Sequence, residues 1–161
     1  MRILVISSEI RHELGCAASL VLRGHRVLYV HIERGPRGFY FSRLPVTVDE
    51  GTVNIPVMFL RTKPSLPIHA LGMNEEVLDL ITYFDPDIIL TTPAHSLYLA
   101  AKASSKLGIP LVLRIWGLRI NTTIERIHYG KVYSEILIFI PSLAHTMLQL
   151  SFGDIIVGLD C

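Results

Sequence analysis

Seven residues of this chain stand where side chains could meet a ligand. Glu9, Arg11 and His12 lie in the polar stretch Ser8-Glu9-Ile10-Arg11-His12, directly after the apolar run Arg2 to Ser7. His95 opens a helix-like segment after the apolar run Ile88 to Leu90, and Trp116, Gly117 and Arg119 follow the apolar run Leu111 to Ile115. Each group thus falls just past the end of a run that reads as a buried strand, and in open α/β sheets ligands bind outside the carboxyl ends of the strands. Glu9 can bind a hydroxyl or cap a turn. His95 can hold a ligand or hydrogen-bond backbone at a helix start, with His12 in a similar position. Trp116 reads either as core or as a strand-end site residue. Arg114, inside an apolar run, either pairs with a carboxylate such as Glu125 or points into the cleft. No catalytic residue can be assigned.

Other chemistries lack their residues. His25 sits beside Gly24 and reads as structural, while His31, His69, His128 and His145 are scattered without an H-x-x-x-H spacing, so no metal is expected. Cys16 and Cys161 match no metal or redox spacing, which fits a reducing compartment better than a disulfide scaffold. No G-x-G-x-x-G follows the first strand, where Gly15 is the nearby glycine, and no G-x-x-x-x-G-K-[ST] occurs. A nicotinamide or flavin site and a P-loop are disfavoured accordingly.

The elements that must position these residues follow from periodicity and caps. Arg2 to Ser7 reads as a strand covered on both faces. Leu14, Ala17, Ala18, Val21 and Leu22 recur at helical spacing, Gly24 ends that helix, and Val27 to Ile32 is a second strand. Glu33 to Gly51 breaks the rhythm. It carries Phe39-Tyr40-Phe41 among Arg34, Arg37 and Arg43, and reads as a surface loop with a short hairpin, or as a mobile lip touching an acceptor or a lipid surface. Val53 to Leu60 is a third strand, placed at an edge by Pro56. Asn74 can cap a helix whose apolar face is Met73, Val77, Leu80, Ile81 and Phe84. Asp85-Pro86 ends it.

Then comes a strand-helix-strand unit with Thr92 as cap, Pro93 in the first turn and Gly108 as the left-handed stop. Tight connections make it a right-handed βαβ crossover in a parallel sheet. Pro141 can start a further helix, and Asp154 to Leu159 is a last strand. The expected fold is α/β, a Rossmann-like parallel sheet with helices on both faces.

At 161 residues the natural count is one domain, with half the residues hydrophobic. The formal net charge of +1 gives no electrostatic case for nucleic acid. Mean hydropathy is +0.46, and the window from Ile136 to Gly153 carries no formal charge. Pro141, Ser142, His145, Thr146, Gln149 and Ser151 make it too polar to insert well, so a buried or partner-facing helix is expected there. The polar residues after Ser7 argue against a signal peptide, and a cytoplasmic protein, with peripheral contact at the inner face of the membrane as an option, is expected.

The motifs, in order, resemble the N-terminal half of GT-B-fold glycosyltransferases of the retaining family 4 group. The residues are Met1-Arg2-Ile3-Leu4-Val5-Ile6, Leu22-Arg23-Gly24-His25-Arg26-Val27, Asp85-Pro86-Asp87-Ile88-Ile89, Lys106-Leu107-Gly108-Ile109-Pro110-Leu111-Val112, Trp116-Gly117 and Asp154-Ile155-Ile156-Val157. They span nearly the whole chain.

The resemblance implies that residues 1–161 are an acceptor-side Rossmann-like domain, inactive alone. It further implies a separate C-terminal domain holding most of a nucleotide-sugar donor. That donor is a substrate rather than a cofactor, and the acceptor is a glycan or lipid-linked. The site residues it implies are Glu9, Arg11, His12, His95, Trp116, Gly117 and Arg119. The chain departs from the pattern in three places. The Gly-Gly after the first strand, where bare backbone approaches a diphosphate, is absent, and Arg11 and His12 could supply side-chain contacts instead. Trp116 stands where many members have histidine; it can stack on a sugar and donate one N–H but cannot act as a base. Arg119 replaces a common Asp, which suits an anionic acceptor. A non-enzymatic α/β binding module and a small membrane-associated protein using the 136–153 window are the alternatives.

Overall fold

The computed structural model describes residues 1–62, 75–92, 95–115 and 155–158. Arg2–Ser7 (β1) leads into Ile10–Leu22 (α1), followed by the strands Arg26–Arg34 (β2), Gly38–Val48 (β3) and Gly51–Thr62 (β4). Then come Glu75–Phe84 (α2), Ile88–Thr91 (β5), His95–Leu107 (α3), Leu111–Ile115 (β6) and Ile155–Gly158 (β7). The strands form one sheet in the order β3-β4-β2-β1-β5-β6-β7. Every pairing is parallel except that of β3 with β4. This is the expected Rossmann-like α/β sheet.

Strand alternation gives the sheet two cores. On one face Leu4, Ile6, Val30, Met58, Ile89 and Leu113 pack with Val77, Leu78 and Ile81 of α2 and Leu97, Ala100 and Ala103 of α3. On the other, Ile3, Val5, Val27, Tyr29, Ile55 and Val57 pack with Ala17 and Ala18 of α1. β1 is buried along nearly its whole length because both faces are covered. Among the described residues no helix is long and apolar enough to cross a membrane. The 136–153 window, Asn74 and Pro93 lie outside the described residues.

The helix stops follow the expected chemistry. After α1, Gly24 takes φ +85, its N–H bonds Val21 O at 2.9 Å, and His25 N–H bonds Leu20 O at 3.1 Å. That pair of bonds is the Schellman closure, and only a residue tolerating the left-handed region gives it cheaply. His25 is therefore structural through its backbone. Gly108 ends α3 at φ +65 in a related way. At the end of α2 the left-handed position falls on Asp85, at φ +51, and Pro86 forbids further helix.

The Arg2-Ile3 and Asp85-Pro86-Asp87 motifs meet here. Arg2 N–H donates to Asp87 Oδ2 at 2.6 Å, and its guanidinium pairs with Asp87 at 3.0 Å and with Asp85. The backbone N–H of Arg2, and after it the guanidinium, hold the Asp87 carboxyl below the usual carboxylate range. The start of β1 is thereby tied to the start of β5.

Two expectations are corrected. Residues Glu33 to Gly51 are neither a loop nor a short hairpin: β3 pairs with β4 from Gly38↔Arg61 to Val48↔Gly51. Leu44, Val46 and Val48 pack on the α1 face, and that apolar alternation sustains the strand. Second, β4 is not an edge; it lies between β2 and β3. Pro56 is tolerated because pairing with β2 begins one residue later, at Tyr29↔Val57. On the other side Pro56 faces Arg43 and Pro45 faces Asn54, positions of one parity, so both missing donors fall in the same class of pair.

Candidate functional site

The helices after β1 and β5 depart to opposite faces, so the carboxyl ends of these neighbouring strands open a crevice, the topological switch point. β6 lies beside β5 and runs the same way, so its end joins the same edge.

Hydroxyl groups build the floor. Ser7 Oγ lies 2.9 Å from Thr92 Oγ1 across the strand boundary, and Glu9 N–H donates to Ser7 Oγ at 2.9 Å. Thr91 Oγ1 donates to Ile6 O at 2.8 Å and Ser96 Oγ to Thr92 O at 2.7 Å. Tyr29 Oη reaches Glu9 O at 3.4 Å from β2. Ser7, Tyr29, Thr91, Thr92 and Ser96 are all buried. Their bonds are spent on the protein itself, so they fix the β1–α1 turn and the start of α3. Burial pushes the Tyr29 phenol well above its ordinary range, so it stays a neutral donor.

Behind the floor lies a buried charge pair. Glu13, in the first turn of α1, meets Arg114 of β6 at 3.4 Å between Oε2 and Nη1. Arg114 thus has a carboxylate partner, Glu13, and is buried rather than open in the cleft; Glu125 lies outside the described residues. The pair balances the acidic charge that Glu13 brings to the first turn of α1.

His31, the register partner of Ser7, is 8% exposed and sits between Tyr29 and Phe59, with ring centroids at 6.4 and 5.6 Å. Its Nδ1 has no hydrogen-bond partner among the described residues. Burial holds its pKa below the usual imidazole value, against the opposing pull of Ser7 backbone and Glu33.

The expected site residues distribute as follows. Glu9 is exposed at the crevice and precedes α1 without a side-chain capping bond, so its carboxylate is not used as a cap. Arg11 and His12 belong to the first turn of α1 rather than to a loop, because the helix begins at Ile10. His95 is the first residue of α3, across the crevice from Glu9. Trp116, Gly117 and Arg119 lie outside the described residues and follow Ile115, the last residue of β6, directly. Gly15 is inside α1, and a Cβ there would meet nothing within 4 Å, so it is not a close-approach glycine.

Sequence reasoning passed over Ser7, Tyr29, Thr91, Thr92 and Ser96 as members of the polar floor. The signal was present as Ser7-Ser8 and Thr91-Thr92, hydroxyl pairs ending two apolar runs. Among the described residues no three His, Cys, Asp or Glu side chains are grouped to hold a metal ion. The chemistry on offer is binding: an exposed carboxylate, helix-start amides, and a turn held rigid from beneath.

Fold and crevice define an α/β Rossmann-like domain with a switch-point site. No protein-family model matches the chain, and no curated protein does. Among solved structures it is similar to the glycosyltransferase SsfS6 of Streptomyces sp. SF2575, at 17% identity and TM-score 0.45, over 99% of this chain and 50% of that one. It is similar as well to an E. coli trehalose-6-phosphate structure bound with UDP-2-fluoro glucose, at 12% identity and TM-score 0.49, over 97% and 39%. A third is OtsA in its apo form, at 13% identity and TM-score 0.48, over 97% and 40%. These are likenesses of fold. The chain spans 39 to 50% of the length of these three structures.

Proposed function

We propose that this chain is the N-terminal, acceptor-side domain of a glycosyltransferase of the retaining, family 4 type, which moves a sugar from a nucleotide-sugar donor to an acceptor. The observation that supports this reading is the strand order. β1, β5 and β6 are adjacent and parallel, so their carboxyl ends, which Glu9, His95 and Trp116 follow in the sequence, share one edge of the sheet. Of the motifs that resemble the family, Trp116-Gly117 follows the end of β6, whereas Leu22 to Val27, Asp85 to Ile89 and Lys106 to Val112 lie where helices lead into β2, β5 and β6 and so bear on the fold rather than on this edge.

In this reading the donor is held chiefly by a second domain and no metal takes part. Glu9 accepts a hydroxyl of the acceptor, Trp116 stacks on a sugar face, and Arg119 pairs with an anionic group of the acceptor. Arg11 and His12, in the first turn of α1, are assigned the phosphate contacts that the absent Gly-Gly would have made. The chain contributes position and shape; proton transfer is not assigned to any of its residues. A cytoplasmic location fits the cysteine usage.

The test is a panel of nucleotide sugars offered to the full gene product and to residues 1–161 alone, with nucleotide release as the readout. Release by the full product with at least one donor, and none by the isolated chain, is expected. Silence of the full product with every donor would remove the reading.

A further inference from the structure

The hairpin β3–β4 divides its aromatic residues between two environments. Tyr40 faces the α1 side, stacked on Phe59 at 4.8 Å with Arg61 above it at 4.9 Å and its hydroxyl directed at Glu33. Phe39 and Phe41 face the other way, edge to face at 6.1 Å, and are 36% and 55% exposed. Their register partners are Leu60 and Met58, where the core under α2 and α3 ends. Beyond that point the alternate residues Phe39, Phe41, Arg43, Pro45 and Thr47 are all exposed.

Two arginines of the sheet flank the phenylalanines on this face. Arg43 follows Phe41 on the same side of β3, and Arg34, at the end of β2, reaches the same face from the opposite flank. Both are exposed. The carboxylate nearest in the sheet, Glu33, points to the other face and is joined to Arg61 at 2.7 Å. Asp49 and Glu50 sit in the turn, about 20 Å along the strand from Arg43 at the usual rise per residue.

We propose that this hairpin face is a contact surface for an anionic lipid bilayer, with Phe39 and Phe41 entering the interfacial layer between Arg34 and Arg43. Paired aromatic side chains flanked by guanidinium groups match that interface: the rings partition below the headgroups while the cations meet phosphate. A second copy adding to the β3 edge fits less well. Arg43 and Pro45 stand on that edge strand, and such residues blunt edge-to-edge pairing. The inference rests on the hairpin and holds whether or not the chain serves sugar transfer.

The test is co-sedimentation of the 161-residue chain with phosphatidylcholine vesicles, with and without phosphatidylglycerol, at low and high salt. Binding to the anionic vesicles that weakens with salt, and little to neutral ones, is expected. Arg34→Gln and Arg43→Gln should each lower the partition coefficient about fivefold. Phe39→Ser with Phe41→Ser should lower it about tenfold or more, with thermal unfolding unchanged. Absence of binding, equal binding to neutral vesicles, or indifference to these substitutions would overturn the proposal. Collapse of the fold in the double serine variant would identify an internal packing face instead, and a concentration-dependent dimer abolished by it would identify a second copy; either outcome also overturns it.

Discussion

Glu13 and Arg114 form an ion pair inside the protein, 3.4 Å apart, with side chains only 1% and 6% exposed. They are separated by 101 residues and join the first turn of α1 to a strand two places away from β1 in the sheet. The contact ties the first turn of α1 to β6.

Breaking that pair should be costly. Glu13→Ala or Arg114→Ala removes one side of a buried ion pair, a loss of about 3–5 kcal/mol. Replacing both, as Glu13→Leu with Arg114→Met, should cost less than the sum of the two single changes, because the pair is removed as a unit. Urea unfolding of the three variants measures this; a double variant as unstable as the sum of the singles would show the two residues act apart.

His31 gives the fold an acid sensitivity. Its folded pKa lies below the ordinary 6.5, with burial as the leading cause. The unfolded chain therefore takes up the proton first, and stability is lost as pH falls below about 6.5 toward the folded value. His31→Leu removes the titration and the unpartnered Nδ1 together. The stability difference, wild type minus variant, should fall between pH 8 and pH 5; a constant difference would contradict the assignment.

Asp87 titrates in the opposite sense of charge but the same direction of stability. Its pKa is held below the ordinary carboxylate value first by the Arg2 N–H and then by the guanidinium. The contribution is present in full above the unfolded pKa of about 3.9 and disappears as pH falls through the folded one. Asp87→Asn should therefore destabilise at neutral pH, and the gap between the two proteins should close in strong acid. Melting temperatures across an acid series give the readout.

Much of the architecture was legible because local and global signals agreed. Leu111 to Ile115 and the stops at Gly24 and Gly108 carry their conformation in their own residue types, and the structure places all three as expected. The hairpin was not legible as a long one. Gly38, Pro45 and Gly51 punctuate it, and its apolar alternation through Leu44, Val46 and Val48 needs the α1 face to make sense. Pro56 pointed to an edge, yet one unpaired position inside the sheet satisfied it as well.

The site was less legible still. Its strand ends could be read, but the Ser7–Thr92 contact spans 85 residues and Glu13–Arg114 spans 101. Spacing along a chain carries nothing about such pairs. His31 looked like one scattered histidine because burial on a strand's inner face is set by what packs above it.

The central claim is that the edge formed by β1, β5 and β6 is where a sugar acceptor is held. Steady-state sugar transfer or donor hydrolysis by the full gene product, with Glu9→Gln, His95→Ala and Trp116→Ala made one at a time, tests it most directly. Turnover should fall by roughly tenfold to a hundredfold in each, with the folded state intact. Wild-type turnover in all three variants would contradict the account.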